Sequence, residues 1–132
     1  MQRNALGRTG IEVSTLCLGT MTFGTQTPPA EAHAQIDRAL EAGINFMDTA
    51  EMYPVNPVRK ETVGRTEEII GDWFAGGGAR DAWIVATKHS GAGSQARDGA
   101  PITAESIPQA IEGSLQRLKI DTVDLYQFHW PN

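Results

Sequence analysis

Cysteine is almost missing from this chain: Cys17 stands alone among 132 residues. One thiol excludes an internal disulfide and suits a reducing compartment. It lies in the apolar run Leu16-Cys17-Leu18, where buried packing is its expected role. No apolar stretch is long enough to span a bilayer, and the N-terminus lacks the apolar core of a signal peptide. No membrane partner is therefore expected, and the cytoplasm is the expected compartment. Positive charge is also short, with 11 Lys and Arg against 16 Asp and Glu. The net charge of −5 argues against a nucleic-acid partner held by a basic surface. G-x-G-x-x-G, the phosphate loop expected early in an open doubly wound sheet, does not occur. No metal ligands are assigned. What remains is ordinary for one globular domain over residues 1–132, with 40% apolar and 20% charged residues.

Three short apolar runs end in groups that exchange protons. Ile44-Asn45-Phe46-Met47 ends in Asp48, Trp83-Ile84-Val85-Ala86-Thr87 ends in Lys88, and Leu125-Tyr126-Gln127-Phe128 ends in His129. Tyr53 follows Asp48 by five residues. An unperturbed phenol, with a pKa near 10, is too weak an acid for easy proton donation at neutral pH. A neighbouring ammonium stabilises the phenolate, and a carboxylate keeps that ammonium in place and charged. An imidazole can bond a substrate oxygen or share the proton transfer. The four together suit protonation of an oxygen that gains negative charge, as in carbonyl reduction. Taken singly, each has a plainer reading: an acid at a strand end is often a turn or cap residue, and a strand-end His is often structural.

Residues 2–14 read as a hairpin around Gly7-Arg8-Thr9-Gly10, followed by a first buried strand at Leu16-Cys17-Leu18. Ala30 to Ala42 reads as a helix with Ala32, Ile36, Ala39 and Leu40 on one stripe and His33 in solvent. Period-two alternation predicts that Ile44, Phe46 and Asp48 share the inward face of their strand. It groups Ile84, Ala86 and Lys88 likewise, and then Leu125, Gln127 and His129. Tyr126 and Phe128 then face helices, so Tyr53 is preferred over Tyr126 as the acid. Thr66 is the expected N-cap of a second helix, with Glu67 and Glu68 at its positive end. Pro54 to Gly64 reads as a surface or substrate-side loop, His89 as solvent-facing, and Ser90 to Pro101 as a mobile loop. Ser106-Ile107-Pro108-Gln109 fits a capping box that opens a third helix.

Several words of this sequence resemble the aldo-keto reductase family. They are Leu18-Gly19-Thr20-Met21, Gly43-Ile44-Asn45, Asp48-Thr49-Ala50-Glu51-Met52-Tyr53, Ala86-Thr87-Lys88, Ser114-Leu115-Gln116-Arg117-Leu118 and Asp124-Leu125-Tyr126-Gln127-Phe128-His129-Trp130-Pro131. Thr20-Met21-Thr22-Phe23-Gly24, Glu51-Met52-Tyr53-Pro54-Val55 and His129-Trp130-Pro131 look most like the bacterial Tas-like branch, related to potassium-channel β subunits. The resemblance implies NADPH-dependent reduction of an aldehyde or ketone. Tyr53 would be the general acid, Lys88 would lower its pKa, Asp48 would hold Lys88, and His129 would orient the carbonyl. Thr20, Met21, Gln26 and Asp48 would contact the cofactor, and Trp130 would line the substrate pocket. Pro54 departs from the glycine more usual after this tyrosine, which puts the loop geometry around Tyr53 in question.

Strands alternating with helices predict βαβ units and a parallel sheet. Functional residues at the ends of several strands favour a barrel over an open doubly wound sheet. A closed eight-stranded barrel takes about 250 residues. The expected fold is therefore α/β, the first half of a TIM-type (β/α)8 barrel: about four βα units preceded by an N-terminal hairpin. A chain of this extent would expose sheet edges and inward apolar faces, so self-association and lack of activity in isolation are expected. Two further readings stay open, a redox-sensing regulatory partner and an inactive structural fragment.

Overall fold

Why the chain forms an arc of barrel is visible in its strand order. The computed structural model describes residues 1–132. A hairpin of β1 (Arg3–Ala5) and β2 (Glu12–Ser14) comes first, and four parallel strands follow: β3 (Leu18–Gly19), β4 (Phe46–Asp48), β5 (Ile84–His89) and β6 (Leu125–Phe128). Helices α1 (Pro29–Glu41), α2 (Arg65–Ala75) and α3 (Ser106–Leu118) make the three crossovers. The strands lie side by side in chain order, with no reversal. A doubly wound sheet reverses its order at a switch point, whereas a barrel does not. The fold is therefore α/β with a parallel sheet, an arc of a TIM-type barrel.

The core lies between the helices and one face of the sheet. Ala32, Ile36 and Ala39 of α1 and Ile69, Ile70, Trp73 and Phe74 of α2 pack with Met47, Val85 and Leu118 in one cluster. Leu40 adds a partly buried edge, so the predicted α1 stripe is the packed face. Gly71 is where α2 and α3 touch, because a β-carbon there would stand 2.1 Å from the Arg117 carbonyl oxygen. Asn45 ties the hairpin to the base of β4. Its side chain accepts from the Ser14 amide at 2.6 Å and donates to the Glu12 carbonyl at 3.0 Å.

Several expectations change in the structure. The first strand is only Leu18–Gly19, and Cys17 is exposed instead of buried. Partial desolvation by the chain around it, then the Asp48 charge, pushes its thiol up to about 11. Ile44 does not join the inward face. Its amide bonds the Ala39 carbonyl at the end of α1, and its side chain packs against the helix-side cluster. Thr66 does not cap α2. Gly64, in a left-handed conformation with φ 85°, holds that position, and the Thr66 hydroxyl donates instead to the Phe23 carbonyl at 2.6 Å. The reciprocal cap of α3 joins Thr103 and Ser106, not Ser106 and Gln109. His33 is within 2.8 Å of the Ile69 carbonyl, linking α1 to α2.

His89 shows the largest difference. It is fully buried on the helix side, 2.8 Å from Ser106 Oγ and 2.7 Å from the Ser90 carbonyl. The strand simply runs one residue further than its apolar pattern indicates. Phe128 lies on that same side, edge-on to His89, yet is exposed. Glu67, in the first turn of α2 as expected, is also fully buried. It accepts from Thr87 at 2.6 Å and from Arg117 at 2.7 Å.

Candidate active site

Alternation along each strand divides labour between the two faces of the sheet. Met47, Thr87 and Phe128 point to the helix side, so their neighbours Asp48, Lys88 and His129 point inward. The register brings Asp48 level with Ala86, and Lys88 level with Gln127. A carboxylate, an ammonium and an imidazole thus rise from three adjacent strand ends. Tyr53 reaches the same point from the loop after β4. It is 9% exposed, and its carbonyl accepts from the Thr66 amide. Pro54 follows it through a cis peptide bond.

Lys88 is the centre. Its ammonium donates to Asp48 Oδ2 at 2.7 Å, to the Thr49 carbonyl at 2.7 Å and to Tyr53 Oη at 3.3 Å. An ammonium has three donors, and all three are in use. Its charge also lies 4.8 Å from the Tyr53 ring centre. Asp48 takes a second bond on Oδ1 from Gln127 at 3.3 Å. The Asp48 side chain keeps 32% of its surface and Lys88 12%, so the pair is held but not sealed.

His129 stands edge-on to Tyr53, with ring centres 5.6 Å apart. Desolvation, with Lys88 adding to it, holds the imidazole below its ordinary range, so the neutral form prevails at pH 7. Its Nδ1 is buried without a partner. Trp130 packs on His129 at 5.1 Å and donates its indole N–H to the Ala92 carbonyl at 2.9 Å. Tyr126 lies elsewhere, with its hydroxyl buried and unpartnered and its pKa raised by desolvation and then by Glu51.

The residues named for cofactor contact sit differently from one another. Thr20 is fully buried, and its hydroxyl donates to the Asp48 carbonyl at 2.8 Å. It therefore fixes the strand end from beneath. Met21, next in the chain, is exposed, and so is Gln26 further along the same turn.

Two participants escaped the sequence reading. Glu51 and Arg97 are 46 residues apart and form a paired contact at 2.8 and 2.9 Å. Burial opposes ionisation of Glu51, but Arg97 and the Ser90 amide outweigh it and hold the carboxyl below its usual range. No local pattern announces such a pair. The segment read as a mobile loop, Ser90 to Pro101, instead contains a helical turn at Gln95–Arg97, and Arg97 anchors it.

A barrel arc whose strand ends gather a phenol, an ammonium, a carboxylate and a neutral imidazole has the groups to move a proton at an oxygen. Comparison with known proteins supplies the class: the Aldo/keto reductase family profile matches residues 15–132, and the chain belongs to that family of oxidoreductases. It is 47% identical over 135 residues to Protein tas of Escherichia coli, covering 99% of this chain and 39% of that protein. A probable voltage-gated potassium channel subunit beta of Oryza sativa is 35% identical, with 100% of this chain and 38% of that protein covered. Among solved structures, the holo form of an aldo-keto reductase from Bacillus halodurans superposes with a TM-score of 0.78 at 33% identity. That match covers 97% of this chain and 40% of the other. The chain thus spans about two fifths of the length of these relatives. No helix is long and apolar enough to cross a membrane.

Proposed function

We propose that the intact protein containing this chain reduces aldehydes or ketones to alcohols with NADPH. The observation that carries the reading is the Asp48–Lys88–Tyr53 chain of contacts at 2.7 and 3.3 Å. Because Lys88 donates to Tyr53 Oη, the phenol keeps its own proton free to give away. The ammonium stabilises the charge left on the phenol oxygen as that proton leaves. Asp48 holds the ammonium in place. His129, as a neutral imidazole, orients the carbonyl oxygen toward Tyr53. Trp130 walls the substrate side.

The residues present fit the reactive end of a nicotinamide cofactor. The Asp48 side chain keeps about a third of its surface, and Met21 stands exposed on the turn after β3. Met21 and the turn anchored by Thr20 would hold that end, with Asp48 and Gln26. When bound, the cofactor supplies a hydride to the carbonyl carbon. The choice of NADPH over NADH rests on the family resemblance. The test is NADPH oxidation with an aromatic aldehyde. Tyr53→Phe should reduce turnover about 10²- to 10⁴-fold, with NADPH affinity unchanged. Near-normal turnover by that variant would remove Tyr53 from the role.

A second reading is a redox-sensing regulatory partner, favoured by the likeness to a channel β subunit. It predicts cofactor binding with no multiple turnover of simple aldehydes. The isolated 132-residue chain is a separate case. Leu16 and Phe128 are 57% and 56% exposed, and β3 and β6 each leave one edge unpaired. Such surfaces favour association, so that chain should self-associate and fail to reduce carbonyls.

A further inference from the structure

We infer that Glu51 and Arg97 are positioning residues that latch the Tyr53 loop to the loop after β5. The inference deepens the proposed reductase site and rests on that reading for its catalytic consequence. Glu51 is 3% exposed and lies two residues before Tyr53. One carboxylate oxygen accepts from the Ser90 amide at 2.7 Å and from Arg97 Nε at 2.8 Å, and the other accepts from Arg97 at 2.9 Å. Ser90 follows Lys88 by two residues. The carboxylate therefore bridges the two segments that carry the acid and its ammonium.

The grip is doubled on the outside. Asp98, next to Arg97, pairs with Lys60 on the far end of the Tyr53 loop. This outer pair is exposed, and exposed pairs contribute little. The inner one is buried and forked, the geometry in which arginine holds a carboxylate best. The Ser90–Ala100 segment is held from its other side as well. Trp130 bonds the Ala92 carbonyl and lies flat on Gly91, where a β-carbon would stand 2.2 Å from the indole nitrogen. A loop pinned by Glu51 on one flank and Trp130 on the other becomes a fixed wall. It sets how far Tyr53 Oη stands from Lys88 and His129. A misplacement of about 1 Å at a reacting group can cost about 10²-fold in rate.

The test uses the intact protein. Amide hydrogen exchange is followed over the Tyr53 loop and the Ser90–Ala100 loop in the parent, Glu51→Gln, Arg97→Ala and Arg97→Lys. NADPH affinity and kcat per cofactor-binding site are measured on the same samples. Arg97→Ala and Glu51→Gln should speed exchange in both loops. They should lower kcat about 10- to 100-fold with NADPH affinity unchanged. Arg97→Lys should recover part of both, and added ethylguanidine should partly rescue Arg97→Ala. A merely structural role would lower the melting temperature and the yield of binding sites but leave kcat per site intact. Unchanged exchange in the Tyr53 loop of Arg97→Ala overturns the latch, and so does faster exchange with an intact kcat per site. A parent that reduces no carbonyl, yet responds in exchange, supports the latch and refutes the reductase reading.

Discussion

The two faces of the four-stranded sheet are built on opposite principles. On the helix side, Met47, Val85 and Thr87 are fully buried, and the buried carboxylate there, Glu67, is held by Thr87 and Arg117. On the inward side, Asp48, Lys88, Gln127 and His129 crowd together, with Asp48 still about one third exposed. Each strand contributes to both faces, one residue at a time. The difference shows how one short segment can serve stability and chemistry without compromise. Burial supports the helix face, while polar groups on the inward face are held by one another and remain reachable.

The largest expected effect that can break this comparison is on turnover. Asp48→Ala frees Lys88 from its anchor and should lower kcat/KM at least 10²-fold in an NADPH-oxidation assay. Its stability cost should stay near 1–2 kcal/mol, because the pair is only partly buried. Glu67→Ala should show the opposite balance. It strands Arg117 and the Thr87 hydroxyl beside a buried void and should cost about 3–5 kcal/mol in urea unfolding. If Asp48→Ala proves the more destabilising of the two, the division between faces fails.

Acidification gives a smaller effect. His129 titrates lower in the folded chain than its ordinary 6.5, so its contribution to stability is complete above that value. It is lost as pH falls from 6.5 through the lowered folded value. Glu51 behaves in the same direction, with its contribution complete above 4.5 and lost below. Urea midpoints between pH 7.5 and pH 2.5 should therefore fall in two stages, the second below pH 4.5. His129→Gln should remove the first stage and Glu51→Gln should shrink the second, to which Asp72, held low by Lys119, also contributes. The self-association expected of the isolated chain is read by sedimentation. A cooperatively melting monomer would show that the inward face needs no cover.

Much of this site was legible because its logic is local. Period-two alternation places Asp48, Lys88 and His129 on one face at three neighbouring strand ends, and the α1 and α2 stripes declare their packed faces. Ile44 was misread because alternation was extended past the true start of β4, into the turn that closes α1. His89 was misread for the converse reason, since β5 continues beyond its apolar residues and Ser106 supplies the polar partner. Glu67–Arg117 and Glu51–Arg97 join residues 50 and 46 apart. Only the folded chain shows that such charges meet. Cys17 is exposed because it lies on the open inward face, where apolar neighbours in sequence do not supply cover.

The most direct measurement compares two neighbours in sequence, Thr87 and Lys88, which point to opposite faces. Thr87→Val and Lys88→Met are made in the intact protein, and kcat per cofactor-binding site and urea stability are measured for each. Lys88→Met should lose turnover about 10²-fold or more. Thr87→Val should lose about 1–3 kcal/mol of stability, because Glu67 is left short of a donor, with turnover per site unchanged. Equal losses of turnover in both variants, or full turnover in Lys88→Met, would contradict the account.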